Sequence, residues 1–205
     1  MQSTRGTAAI ARTDGRAARS ERTQAAVVDA LLALTDEGDL RPTAARIALR
    51  AGVSLRTVFQ HFQDVDLLFA IAAERQEQRM ASLLEPPPAA GALHARIAAF
   101  VAHRARLFEA ITPVRRAALL SEPFSDVLAS RLQARRLLAQ RDVERVFRPE
   151  LRALPAAERR ELLAALAVAT AWPTWESLRA HQRLGERQAR GVMARILRAL
   201  LKREG

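Results

Sequence analysis

The sequence predicts an all-α protein of about nine helices. Apolar residues recur at the three- and four-residue spacing of a helix along most of the chain. No segment alternates apolar and polar residues with the period of two that marks a half-buried strand, and Tyr is absent. With 205 residues, 49% of them hydrophobic, the chain has enough apolar material for one mid-sized core or for two smaller ones.

Composition excludes several classes of site. Cys is absent, which removes disulfides, thiolate zinc sites and Cys nucleophiles. The longest run without a charged residue, residues 162–175, is shorter than the roughly 20 apolar residues of a membrane helix, and no signal peptide is legible. We therefore expect a cytoplasmic protein that has no membrane partner.

Charge is distributed unevenly along the chain. The 33 basic and 22 acidic residues give a net charge of +11, which predicts attraction to polyanions. Residues 1–19 are rich in Ala, Thr, Gly and Arg without periodicity, and this predicts a flexible basic arm. Residues 41–63 contain four Arg and no acidic residue, so a polyanion would meet no carboxylate of this segment.

The first predicted helix runs from Ser20, a good N-cap, to Gly38, which ends it. It carries Val27, Leu31 and Leu34 on one face. Apolar residues at this spacing predict a helix with one side against a core.

Two short helices follow the first. Thr43 opens one that ends at Ala51, and Gly52 forms the turn after it. Ser54 caps the other, which runs to about Phe62.

The later helices are longer. Asp64 caps a fourth helix that runs to about Leu84, where three prolines end it. The remaining predicted helices are about 92–110, a short piece after Pro113, about 124–147, about 156–180 and about 186–203.

The two short helices are spaced to cross closely. Ala48 is small enough for a close contact, and Gly52 tolerates a positive φ in the turn. The residues spaced for a shared core are Ile47, Ala51, Val53, Val58 and Phe62. The residues left on the outer face of the second helix are Leu55, Arg56, Thr57, Gln60 and His61.

Such an outer face fits the major groove of DNA. Because helix N-termini present free N–H groups, Thr43 and Ser54 suit phosphate contact. Arg46, Arg50 and the basic arm add attraction that does not depend on base sequence. The alternative is a helical hairpin with an Arg-rich solvated face.

The chain contains the stretch IALRAGVSLRTVFQHF, followed by Asp66, Leu67, Leu68 and Phe69. Over residues 22–69 it resembles the DNA-binding region of the tetracycline-repressor (TetR) family. Its C-terminal part also resembles the family, in the stretch WPTWESLRAHQRLGERQARGVMARILRALL. The resemblance implies an all-α, dimeric transcriptional regulator, usually a repressor that a small ligand releases from its operator.

The resemblance also implies roles for individual residues. It implies base contacts for Leu55, Arg56 and Thr57. It implies phosphate contacts for Thr43, Gln60 and His61. The chain departs from the family pattern at Phe59, where Tyr is usual, and at Val65, where Lys is usual.

The predicted organisation is the basic arm (1–19), a helix-turn-helix DNA-binding domain (20–66) and a ligand-binding and dimerisation domain (67–205). Two functions fit it. One is a sequence-specific regulator that responds to a small molecule, and the other is an architectural DNA-binding protein that senses nothing. The size of the second domain favours the regulator, because a sensor needs a core that holds a cavity.

The second domain contains candidates for a pocket and for a dimer interface. The predicted pocket, for a small hydrophobic effector, has His103 as its polar contact and its walls at Phe100, Leu107, Phe108, Leu119, Phe124 and Trp172. Each of these residues could instead fill the interior. The predicted homodimer, on a palindromic operator, pairs the last two helices through Leu162, Leu163, Leu166, Val168, Trp172, Val192, Ile196, Leu197 and Leu200.

Catalysis is not expected. No nucleotide-binding glycine motif or Ser-nucleophile motif occurs. The four His residues lack metal-ligand spacing, so we expect no metal and no cofactor.

Overall fold

All regular secondary structure in the described part of the chain is helical. The computed structural model describes residues 5–62 and 65–202, with side chains described for residues 17–62, 67–83 and 85–202. These residues form ten α-helices and no β-strand, which confirms the predicted all-α class with one helix more than the expected nine. The helices are α1 (Arg5–Asp36), α2 (Ala44–Ala51), α3 (Leu55–His61), α4 (Val65–Arg79), α5 (Leu93–Ser121), α6 (Asp126–Val146), α7 (Arg148–Arg152), α8 (Ala156–Ala169), α9 (Trp172–Glu176) and α10 (Glu186–Leu201). None of the described helices is both long and apolar enough to cross a membrane.

The chain divides into two compact units. The first comprises Met1–Gln78 with Pro113–Leu128, and the second comprises Arg79–Thr112 with Ala129–Gly205. Helices α5 and α6 therefore each contribute residues to both units. These limits differ from the predicted domain boundary at residue 66, because nearly all of α4 belongs to the first unit.

The first unit is built around the inner face of α1. Val27, Leu31 and Leu34, which were predicted to share one face, are all buried. They belong to one core with Ile47, Ala48, Val58, Phe62, Leu68, Phe69, Ala72 and Ala117. Because burial of each Leu- or Phe-sized side chain contributes about 1.5–3 kcal/mol, this core fixes α2 and α3 against α1.

Helix α1 starts much earlier than predicted. It begins at Arg5 rather than Ser20, so residues 5–19 of the predicted arm are part of the helix. The stretch lacks an apolar face, but Ala and Arg have high intrinsic helix propensity and continue the helix without one. Residues 1–4 of the predicted arm, and the predicted cap Asp64, lie outside the described residues.

Helix α5 continues through Pro113, where a break was predicted. An internal Pro removes one helical hydrogen bond and costs about 3 kcal/mol. Val114 and Ala117, in the turn that follows, pack against the core of the first unit and offset that cost. Residues on either side of the Pro are thus held in one helix by tertiary packing.

The predicted helix over 156–180 is interrupted. Helix α8 ends at Ala169, and α9 starts at Trp172 with Pro173 in its first turn. Pro is tolerated there because the first N–H groups of a helix have no intrahelical partner. A π-helical turn, Ser177–His181, follows α9.

The second unit buries aromatic and charged side chains together. Phe100 and Phe147 meet edge to face with 5.4 Å between ring centroids. The guanidinium of Arg104 lies 4.9 Å from the centre of the Phe100 ring. Phe108 and Trp175 form a second aromatic pair, at 6.3 Å.

Arg96 ties α5 to the end of α6 and to α7. Its side chain is 5% exposed and donates to the backbone carbonyls of Gly91 and Val146. It also donates to both carboxylate oxygens of Glu150. A buried guanidinium needs such partners, because an unpaired buried charge is strongly destabilising.

Candidate nucleic-acid interface

Helix α2 has a defined cap at each end. At its start, the Thr43 hydroxyl oxygen accepts a hydrogen bond from the backbone N–H of Arg46 (3.3 Å). At its end, Gly52 has a φ of 68°, and the N–H of Val53 donates to the carbonyl of Ala48 (3.0 Å). A residue with a Cβ is strained at this φ, so the predicted need for Gly in the turn is confirmed.

The predicted core between α2 and α3 is also confirmed. Ile47, Val58 and Phe62 are each at most 2% exposed. Ala48 is buried, and Ala51 and Val53 pack partly buried against the same cluster. The two helices therefore share one interior.

The start of α3 is held by its own side chains. The Ser54 hydroxyl oxygen accepts from the backbone N–H of Thr57 (3.1 Å). The hydroxyl groups of Ser54 and Thr57 also lie 2.7 Å apart in a hydrogen bond. This cap fixes the first turn of α3, whose residues are predicted to contact DNA.

The outer face of α3 is partly as predicted. Leu55, Arg56 and Gln60 are exposed, whereas Thr57 and His61 are half-buried. Phe59, which the predicted outer face did not include, is 52% exposed. The outer face thus has more apolar surface than the sequence suggested.

Two of the four arginines in the acid-free segment are ion-paired. Arg50 donates to both carboxylate oxygens of Glu37, at 2.5 and 3.0 Å. This pairing lowers the pKa of Glu37 and raises that of Arg50, with the hydrogen bond as the largest cause. Arg46 lies 2.8 Å from the carboxylate of Asp39.

The two other arginines, Arg41 and Arg56, are exposed and have no ion pair within the described residues. Sequence reasoning missed the pairing of Arg46 and Arg50 because Glu37 and Asp39 precede the segment that lacks acids. The available signal was the composition of residues 23–40, which contain four acidic residues and no basic residue. The unpaired positive charge is therefore smaller than the count of four arginines suggests.

Comparison with known proteins gives one solved structure with a similar fold. No family model matches the chain, and no curated protein matches its sequence. The crystal structure of a transcriptional regulator from Rhodococcus sp. Rha1 has a TM-score of 0.65 and 19% sequence identity to this chain. The similarity covers 89% of this chain and 95% of that one. The two proteins share a helical fold.

The seven predicted pocket residues are divided between the two units. Phe100, His103, Leu107, Phe108 and Trp172 are buried in the second unit. Leu119 and Phe124 belong to the first unit, and Phe124 is 73% exposed, so it is not part of an apolar interior wall. Phe124 lies in the 3₁₀ turn that follows α5, and its ring is exposed to solvent.

Two of the concavities in the described part of the chain contain no predicted pocket residue. One, of about 220 Å³, lies between α1 and α4 in the first unit. The other, of about 470 Å³, is an open groove along α10.

Trp172 donates its indole N–H to the hydroxyl of Thr112 (3.0 Å), so its polar edge is satisfied within the chain.

His103 is a buried polar residue of the second unit. It is 8% exposed, and neither ring nitrogen has a hydrogen bond of normal geometry within the described residues. Burial, together with the nearby Arg104, lowers the pKa of His103 below its ordinary value. Asp142 and the backbone at Leu83 and Glu85 oppose this shift.

Arg104 is buried beside His103. It donates to the carbonyl of Ala139 (2.9 Å) and lies 3.6 Å from the carboxylate of Asp142. Burial lowers the pKa of Arg104, and Asp142 opposes the shift. The Nε atom of Arg104 has no hydrogen-bond partner within the described residues.

The predicted dimer residues divide by exposure. Leu166 and Leu197 are fully buried within the single chain, so they have no surface left for a partner and are removed from the predicted interface. Trp172 is buried as well. Val168 is 69% exposed, and the partly exposed residues are Leu162, Leu163, Val192, Ile196 and Leu200.

Within the described residues, no three His, Asp or Glu side chains are grouped as a metal site would require. The polar clusters of this part of the chain are ion pairs and caps.

Proposed function

We propose that this protein is a sequence-specific transcriptional regulator of the tetracycline-repressor type, which binds duplex DNA through α3. The observation that carries the proposal is the outer face of α3, where Arg56 is exposed without an acidic partner in the described residues. Ser54 and Thr57 hold the helix start rigid. A capped, carboxylate-free helix suits the negatively charged major groove.

Within this proposal the contacts divide into two groups. Leu55, Arg56 and Thr57 meet base edges, which carry the sequence information. The phosphate contacts are Thr43, Arg46, Ser54, Gln60 and His61. Arg46 contributes less than an unpaired arginine, because Asp39 already neutralises part of its charge.

Selection of duplexes from a random pool, followed by binding measurements over a range of salt concentration, tests this function. We expect one enriched sequence with two related half-sites, and log affinity that falls linearly with log salt. Equal affinity for all duplexes would contradict sequence-specific regulation.

We propose further that the protein acts as a homodimer on a palindromic operator, since two-fold protein symmetry is matched by two half-sites. Helices α8 and α10, which pack on each other, supply the interface. Val168, at 69% exposure, is the most exposed apolar residue of this surface.

Light scattering at micromolar concentration tests the dimer. Val168→Asp should shift the protein to monomers and weaken operator binding. Phe124→Asp, at a comparably exposed apolar residue of the first unit, is the matched control and should leave the dimer intact. A wild-type monomer that still binds the operator tightly would contradict the proposal.

The regulatory part of the proposal is a small-molecule effector that releases the DNA. The pocket candidates that fit a buried site are Phe100, His103, Leu107, Phe108 and Trp172. His103 is the natural polar contact, because its ring nitrogens have no protein partner of normal geometry. Helices α5 and α6, which contribute residues to both units, are the elements that couple ligand binding to DNA binding in this proposal.

Coupling between effector and operator must be reciprocal. Calorimetric titration of a library of hydrophobic compounds, with and without operator, should therefore give one compound whose affinity falls when DNA is bound. The affinity for operator should fall by the same factor when that compound is bound.

An architectural DNA-binding role is the second candidate. It is favoured by the packing of the predicted pocket walls against other aromatic rings, Phe100 on Phe147 and Phe108 on Trp175. If no compound binds differently in the presence of operator, this role replaces the sensor.

A further inference from the structure

Helix α3 carries an apolar stripe on its outer face. Leu55 and Phe59 are four residues apart and are 44% and 52% exposed. Side chains at this spacing lie about 5–6 Å apart on the same side of a helix. The inner side of α3 is formed by Val58 and Phe62, each 2% exposed. The core thus holds α3 without using the stripe, which remains open to a partner.

Within the described residues, the neighbours of the stripe on α3 are positive or neutral. Arg56 follows Leu55 and Gln60 follows Phe59, and both Arg56 and Gln60 are exposed. Helix α3 contains no acidic residue. The carboxylates that lie against α2, Glu37 and Asp39, are occupied by ion pairs. An apolar patch in this setting complements an anionic partner that itself presents an apolar group.

The major groove of duplex DNA is such a partner at thymine. Each base pair presents a pattern of donors and acceptors there, and the 5-methyl group of thymine is the apolar element of that pattern. The Phe59 ring has no hydroxyl, so it cannot donate a hydrogen bond to a phosphate. Apolar contact with a base is the interaction that its exposed ring can make.

We propose that Leu55 and Phe59 read thymine 5-methyl groups in the half-site that α3 binds. The inference rests on the proposed function, DNA binding through α3. The 5–6 Å spacing of the two side chains, compared with the 3.4 Å rise per base along one strand, places their targets one or two steps apart. Thymine content at these steps is therefore a specificity determinant separate from the contact of Arg56.

The experiment uses the whole 205-residue chain and the duplex enriched from a random pool. Each thymine in turn is replaced by deoxyuridine, which deletes the methyl group and keeps every hydrogen-bonding group of the base pair. We expect at least one position in each half-site at which the replacement weakens binding about fourfold, the factor for one methyl-sized group removed from water.

Alanine variants identify the reader of each methyl group. Phe59→Ala and Leu55→Ala should each bind the thymine and uracil duplexes equally at the position that the deleted side chain reads. Leu49→Ala removes an apolar side chain of α2 that is 84% exposed, and it should keep the wild-type discrimination. The wild-type measurement requires no variant, so a variant that fails to fold leaves the main test in place.

The outcomes are distinct. Specific binding with no uracil effect at any position overturns the inference and leaves the proposed function standing. A uracil effect that survives both alanine variants assigns the methyl contact to other residues and also overturns it. If no duplex is enriched from the pool, the proposed function fails and the inference fails with it.

Discussion

The α2–α3 hairpin of the first unit and the interior around α5 in the second unit use arginine in opposite ways. Arg41 and Arg56 are exposed and have no ion pair within the described residues. Arg96 and Arg104 are 5% and 3% exposed, and they donate to backbone carbonyls inside the second unit. The net charge of +11 therefore overstates the charge that a partner can meet.

The difference has a physical origin. A guanidinium in water keeps its hydration and remains free to pair with a phosphate, whereas a buried one must find acceptors in the chain. An arginine with a structural role is buried and donates to acceptors within the chain. An arginine available for binding is exposed and has no ion pair within the chain. Measurements of stability and of DNA binding should distinguish the two kinds of arginine.

The largest effect is expected for the buried arginine. Arg96→Ala leaves Glu150 and two backbone carbonyls without their donor, so the free energy of unfolding should fall by about 3–5 kcal/mol. Urea denaturation measures the change. Arg56→Ala is the control and should alter stability by about 0.5 kcal/mol or less. Similar losses for both variants would remove the distinction between the two kinds of arginine.

For DNA binding, the larger loss of affinity is expected from a change at the exposed Arg56. Arg56→Ala should weaken binding to the enriched duplex by about 1–3 kcal/mol and relax base preference at one position. Arg50→Ala, which removes a side chain already paired with Glu37, should cost less and affect all sequences alike. Titrations with enriched and random duplexes separate the two. Equal losses for both variants on both duplexes would contradict the assignment of Arg56 as a base reader.

The turn of the hairpin depends on its glycine. Gly52→Ala should lower the free energy of unfolding by about 1–2 kcal/mol, because φ is 68° at this position. Gly191→Ala, in helix α10 with open space around the added Cβ, should raise it by about 1 kcal/mol. Denaturation over a series of protein concentrations separates folding from association. A neutral Gly52→Ala would show that the turn accepts a side chain.

The stability of the second unit should fall in mild acid because of His103. Its pKa in the folded state is lowered below 6.5, so the unfolded state binds the proton more readily. Stability should therefore fall as pH drops below about 6.5, by at most about 1.4 kcal/mol per pH unit. His103→Leu should flatten this dependence, whereas His94→Gln, at an exposed position of α5, should not. Parallel curves for wild type and His103→Leu would contradict the burial argument.

The smallest effect is a change in salt dependence. Glu37→Gln frees Arg50 from its ion pair, so the slope of log affinity against log salt should become steeper by up to about one. Asp39→Asn should act in the same direction through Arg46. Unchanged slopes in both variants would mean that neither arginine reaches a phosphate.

Local signals within about twenty residues were sufficient to predict the hairpin. The caps Thr43 and Ser54, the positive φ of Gly52 and the core positions Ile47 and Val58 all lie as the sequence indicated. Each depends on residues only a few positions away, because caps and turns are closed by hydrogen bonds to nearby backbone groups. The all-α class followed in the same way from periodicity alone.

Contacts between distant residues decided the rest. Arg96 meets Glu150 across a separation of 54 residues, and Trp175 donates to Glu109 across 66. Helix α5 passes Pro113 because Val114 and Ala117 pack on a core built mainly from residues 27–72. Whether an arginine is exposed or buried, and whether an aromatic residue lines a cavity or fills the interior, depends on which distant side chains surround it. Sequence periodicity assigns residues to a helix face, and only the tertiary structure determines what that face meets.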